Sequence, residues 1–114
     1  MQIIMRDMAH NAIDNIFEYV ANYSVKNAMD TIDGIYEHIY YLEDFPYIGR
    51  CVDEIPGKYF RELIYRKTKK SVYRIIYYVS EKNEKIYINN IINCKQDFKT
   101  FLKLHNYFKN YYIF

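Results

Sequence analysis

The sequence predicts an α+β domain: an N-terminal helical hairpin packed on a small antiparallel sheet, in the order β-α-α-β-β-β-α. Three observations carry this reading. Apolar residues recur at spacings of three and four between residues 7 and 42. The pattern then switches to period two between residues 59 and 92. The chain has 114 residues and no low-complexity linker, so residues 1–114 are read as one domain with one core.

Met1 to Met5 is a short apolar stretch, read as an edge strand. Asp7 has the residue type of a helix cap. After it, Ala9, Ala12, Ile13, Ile16, Phe17 and Val20 mark one buried helical face. The segment 21–24 breaks the pattern, and Ser24 suits the cap of a second helix. There Val25, Ala28, Met29, Ile32, Ile35, Tyr36, Ile39 and Leu42 repeat the helical spacing. So short a connection makes the two helices antiparallel neighbours.

Pro46 and Gly49 mark a loop. Beyond it, Tyr59, Arg61, Leu63 and Tyr65 alternate with Phe60, Glu62 and Ile64, which is the signature of a strand. Arg66 to Ser71 is a basic turn without glycine, so a longer hairpin loop is expected. Val72 to Val79 and Ile86 to Ile92 read as two further strands, joined by the polar turn 80–85. Phe98, Phe101, Leu102, Leu104, Tyr107 and Phe108 predict a third helix, followed by an aromatic tail. The helical hairpin covers one face of the meander, and the other face is left to carry arginine.

Composition excludes several classes. No run of about 18 apolar residues exists to span a membrane. The first ten residues lack a secretory apolar region and cleavage site, so a cytoplasmic protein is expected. Cys51 and Cys94 stand apart and outside any CxxC, as reduced thiols do. No His, Cys or carboxylate group has metal-ligand spacing, and no cofactor is implied. With three glycines there is no phosphate-cradling loop.

Charge is uneven along the chain. Residues 1–57 hold three bases against ten acids, a net −7; residues 58–114 hold thirteen bases against four acids, a net +9. The segment from Lys58 to Arg74 is the most basic, with Lys58, Arg61, Arg66, Lys67, Lys69, Lys70 and Arg74 against Glu62. Aromatic and β-branched residues are interleaved with these charges. Such a segment suits an anionic partner, including a nucleic-acid backbone with bases to stack on.

Several strings resemble the RelE/ParE superfamily of type II toxin–antitoxin toxins. They are Ile16-Phe17-Glu18-Tyr19-Val20, Leu42 to Arg50, Tyr59 to Ile64, Val72-Tyr73-Arg74-Ile75-Ile76-Tyr77 and the strand Ile86 to Ile92. Their order covers residues 5–97, with residues 98–114 outside it. The resemblance implies a small bacterial toxin silenced by a cognate antitoxin protein. RelE-like members cut messenger RNA on the ribosome, whereas ParE-like members poison DNA gyrase and cleave no RNA. The reading favoured at this level is a ribosome-dependent mRNA endonuclease. The alternatives are a gyrase inhibitor and a catalytically inactive member.

Residue by residue, Arg74 matches the arginine of the family's Tyr-Arg-x-x-Tyr strand, which looks like a phosphate stabiliser in cleaving members. Arg61 on the adjacent strand is a candidate second cation for the same phosphate. Lys58, Arg66, Lys67, Lys69 and Lys70 are candidates for holding backbone phosphates. Family members often carry His where Asn93 stands, and Asn93 transfers no protons. Lys95 keeps a positive charge where the family has arginine, so it joins the RNA-binding candidates. A base would have to be Glu54, Asp53, a lysine of lowered pKa or a tyrosine, and Glu54, in the loop where some cleaving members place a glutamate, is the candidate.

Overall fold

The computed structural model describes residues 1–52 and 60–94. The predicted third helix and aromatic tail, together with Glu54, Lys58 and Lys95, lie outside the described residues. Strand β1 (Gln2–Met5) leads into helix α1 (Asp7–Ala21), and helix α2 (Val25–Tyr41) follows after three residues. The strands β2 (Arg50–Cys51), β3 (Phe60–Arg66), β4 (Val72–Ser80) and β5 (Lys85–Asn93) complete the described chain.

The α+β class and the helical hairpin are as the sequence predicts. The sheet has five strands in the order β1-β5-β4-β3-β2. The meander β3-β4-β5 is antiparallel, but β1 joins β5 in parallel, so the sheet is mixed. A strand that runs straight into a helix cannot pair with its successor through a tight turn. Here β1 caps the free edge of the last strand, with Arg6 N–H donating to the Ile88 carbonyl at 3.0 Å. At the opposite edge, β2 lies within the predicted loop and pairs Arg50 with Glu62 and Cys51 with Arg61. Two residues are too few to show a period, which is why the pattern misses them.

One helical cap is as expected and one is not. Ser24 accepts a hydrogen bond from the Asn27 N–H at 3.1 Å, which satisfies one orphan donor of α2. Asp7 is the first residue inside α1 rather than its cap; Arg6 takes that position, with no side-chain cap bond. A carboxylate in the first turn still faces the positive end of the helix dipole.

The main core lies between the hairpin and the sheet. Ala9 and Ile13 from α1, Ile35 and Ile39 from α2, and Tyr73, Ile75, Tyr77, Ile86, Ile88 and Ile91 from the sheet bury together. Each fully buried isoleucine contributes about 1.5–3 kcal/mol relative to exposure. The predicted apolar stripes are wider than the buried ones. Phe17, Val25 and Met29 are exposed, because a hairpin meets the sheet along one seam only. A second cluster, Val52, Phe60, Ile76 and Ile92, occupies the sheet face away from the helices. That face is therefore partly apolar and buried, not the open surface that alternation alone implies.

A β-bulge reconciles the two faces of β5. Ile76 pairs with Asn90 and Tyr77 with Ile88, so Asn89 is an extra residue. The insertion resets the alternation. Ile88 and Ile91, three positions apart, both reach the helix-covered core. Without it, one of them would point to the other face. Among the described residues no helix is long and apolar enough to cross a membrane.

Replacing Ser24 by Ala tests the cap. Loss of the hydrogen bond to Asn27 is expected to cost about 0.5–2 kcal/mol, read as a lowered urea midpoint at unchanged slope. An unaltered midpoint would show that the cap does not stabilise the hairpin.

Candidate functional site

Strands β2, β3 and β4 bring three charged side chains together on the face away from the helices. Glu62 is directly opposite Arg50 across the β2–β3 ladder, and Arg74 on β4 lies one diagonal step away. Glu62 is held between them. Arg50 Nε donates to Oε1 at 2.5 Å, and Arg74 Nε donates to Oε2 at 2.5 Å. Arg74 Nη2 lies at the same distance from Oε2. The Glu62 side chain is fully buried, that of Arg74 is 15% exposed and that of Arg50 is 74% exposed. A carboxylate removed from water is tolerated because two guanidinium groups face it. The pairing of Arg74 with Glu62 gives this arginine a place inside the fold.

Arg61 is engaged elsewhere. Strand alternation puts it on the parity of Leu63 and Tyr65, which pack against the helix-side core. Arg61 and Arg74 therefore point to opposite faces of the sheet. The second-cation role beside Arg74, read from the adjacent strands, finds no support in this geometry. Arg61 Nη1 donates to the Gly49 carbonyl at 2.8 Å and the Tyr47 carbonyl at 3.3 Å. Its guanidinium also lies over the Tyr47 ring, 5.1 Å from the centroid. Adjacent strands were legible in the sequence; which side of the pleat each arginine takes required the register.

Gly49 completes this node. Its N–H donates to the Tyr77 hydroxyl at 2.8 Å. A Cβ at Gly49 would lie 2.6 Å from the Glu62 carbonyl oxygen and against the buried Tyr77 ring. Only glycine lets the loop approach the sheet this closely. Burial pushes the Tyr77 phenol above its ordinary range, opposed in part by the Gly49 hydrogen bond and by Arg61. Tyr47 continues the network outward, its hydroxyl donating to the Glu81 carboxylate on the β4–β5 turn.

The basic hairpin is divided. Arg66, Lys69 and Lys70 are exposed. Lys67 instead reaches α2, where Nζ donates to Thr31 Oγ1 at 2.8 Å and the Asn27 carbonyl at 3.0 Å. Thr31 is buried and gives its own proton to Asn27. Lys67 thus ties the turn to the hairpin. Thr68 Oγ1 accepts from the N–H groups of Lys70 and Ser71, which shapes a turn that has no glycine. His10 and His38 lie on the helices, His38 with its ring 4.7 Å from that of Tyr65. Among the described residues no group of His, Cys, Asp and Glu clusters as a metal site does. Sequence reasoning missed two members of these networks, Arg50 and Gly49. The short spacing Gly49-Arg50 ahead of a strand carrying Arg61-Glu62 was the available signal.

Two outcomes follow from these networks. Arg74→Ala is expected to cost about 3–5 kcal/mol, since it strips the buried carboxylate of its more buried partner. Arg50→Ala should cost markedly less, because its exposed guanidinium is screened by water. Equal losses in urea denaturation would overturn this ranking. The second concerns alkaline pH. Tyr36, Tyr65, Tyr73 and Tyr77 are all raised by burial first, so the native state holds these protons longer than the unfolded chain. That contribution is fully present below the unfolded value near pH 10 and is lost as pH rises through the higher folded values. Stability measured from pH 8 to 11 should fall only above about pH 10, and less steeply in Tyr77→Phe.

Comparison with known proteins gives this geometry a setting. The family model described as ParE toxin of the type II toxin–antitoxin system parDE matches residues 3–98. No curated protein matches the chain. A solved structure described as the chromosomal ParDE toxin–antitoxin system from P. aeruginosa is similar in fold, with a TM-score of 0.65 at 21% identity. The similarity covers 82% of this chain and 95% of that one. The chain therefore belongs to the ParE toxin family of type II toxin–antitoxin systems, within the RelE/ParE superfamily, and its partner is a cognate antitoxin.

Proposed function

We propose that this toxin arrests growth by binding and poisoning DNA gyrase rather than by cutting messenger RNA. The observation that carries the reading is the engagement of Arg74 by Glu62. A phosphate stabiliser must turn its N–H donors toward the incoming phosphorane. Here Nε and Nη2 face a buried carboxylate instead. Arg61, on the opposite face, holds the Tyr47 and Gly49 carbonyls. A bidentate grip on one phosphate requires both cations on one side. Both arginines support the scaffold, and a well-braced scaffold suits a protein that acts through its surface. Membership of the ParE family points the same way, since the ParE-like branch of the superfamily is the one that poisons gyrase.

Arg66, Lys69 and Lys70 then form an exposed cationic edge for an acidic partner segment, which assigns them to the antitoxin rather than to RNA. The chain is expected to co-purify with a small protein encoded beside it.

Purified toxin incubated with gyrase and relaxed plasmid tests the target. Inhibited supercoiling, with intact transcripts in cells after induction, is the expected result. Unimpaired gyrase together with transcripts cut at ribosomal positions would sink this reading and favour the endonuclease. In that event Arg74→Ala, assayed for cleavage, would identify the stabiliser.

A further inference from the structure

The last residue of α2 and the segment after it expose an unusual amount of apolar surface. Tyr41, Phe45, Tyr47 and Ile48 are each between 45 and 51% exposed within eight residues. Isolated exposed apolar residues need no explanation, but a contiguous group of this kind marks a contact surface. The Tyr41 and Phe45 rings stack, with centroids 4.8 Å apart. Aromatic residues are those most enriched at the energetic centres of protein interfaces.

This segment is also fastened. Backbone bonds run from Phe45 N–H to the Tyr41 carbonyl at 3.2 Å and from Ile48 N–H to the Phe45 carbonyl at 3.3 Å. Pro46 fixes one backbone angle between them. The far end is held by Arg61 through the Tyr47 and Gly49 carbonyls, by Tyr77 through the Gly49 N–H, and by the bond from Tyr47 to Glu81. Aromatic groups held in place lose little further freedom on binding, so their buried area converts more fully into affinity.

Charge identifies the partner's chemistry. Glu43 and Asp44 are exposed within the segment, Glu81 joins them through Tyr47, and the cationic side chain against it, Arg61, is already held by the Tyr47 and Gly49 carbonyls among the described contacts. An acidic antitoxin segment is repelled by these carboxylates and attracted to the exposed Arg66, Lys69 and Lys70, so the two surfaces suit different partners. We propose that residues 41–48 form the surface that engages the toxin's protein target, at a basic patch beside an apolar pocket on that target. The inference rests on the reading of this chain as a toxin that acts by binding.

The test uses the full chain, induced in cells without antitoxin. The variants are Phe45→Ala with Ile48→Ala, and separately Asp44→Lys. Both should raise the induction level needed for growth arrest, the apolar pair by about tenfold or more. Melting temperature should be unchanged in Asp44→Lys and fall by about a few degrees in the apolar pair, which loses the stack on Tyr41, with antitoxin affinity held within about twofold in both. Arrest equal to the parent in both variants overturns the proposal. So does loss of antitoxin binding with arrest retained, which would assign the surface to the antitoxin. If the apolar pair fails to fold, Asp44→Lys decides, since an exposed carboxylate has no packing to lose. A parent that causes no arrest overturns this inference and the proposed function together. A parent that arrests growth without inhibiting gyrase sinks the gyrase reading alone, and the variants still decide this one.

Discussion

The burial of Glu62 is the constraint on which the far side of the sheet depends. A carboxylate with a fully buried side chain in the middle of a three-strand region is costly unless cations reach it from both neighbouring strands. Register supplies them: Arg50 directly across, Arg74 on the diagonal. The two-residue strand β2 thus has a role beyond its ladder hydrogen bonds, because it carries one of the two counter-charges. On the same face of the sheet, Val52, Phe60, Ile76 and Ile92 bury together as a second apolar cluster. Burial strengthens the Arg74–Glu62 pair, whereas Arg50 reaches the same carboxylate from a side open to water.

A second node works on the helix side of the same strands. Tyr77 is buried among the core isoleucines and turns its hydroxyl to the Gly49 N–H. Arg61 takes the neighbouring carbonyls. The loop after α2 is thereby bound to the sheet by groups on β3 and β4, which themselves carry Glu62 and Arg74. One pair of strands braces both faces. Arg50, Arg61, Lys67 and Arg74 all brace the fold, while Arg66, Lys69 and Lys70 stay exposed. This bracing is the physical ground for the proposal that the toxin acts through its surface rather than through Arg61 and Arg74.

Much of the architecture was legible along the chain. The change from helical spacing to alternation marked the hairpin and the meander, and Ser24 marked the break between helices. Alternation along β4 puts Tyr73 and Ile75 on one face and Arg74 on the other, and the first two lie in the helix-side core. The bulge at Asn89 was not legible, since a strand with one extra residue has the same composition as one without it. The parallel pairing of β1 with β5 joins residues more than eighty positions apart and leaves no local trace. At the site, the candidates Arg61 and Arg74 were found by residue type and string. Their separation onto opposite faces, and the part of Lys67 in holding the turn to α2, were not.

The helical hairpin, the three strands of the meander, the α+β class, the family resemblance and the uneven charge can all be read along the chain, because each is written in local pattern or in the order of short strings. The tertiary structure alone decided what the charges do. An arginine beside an empty face binds a phosphate; the same arginine beside a buried carboxylate stabilises a sheet. Which of these Arg74 does depends on the position of Glu62, twelve residues away along the chain and one diagonal step across the ladder. Coulomb interactions act through space, and only the fold sets those distances.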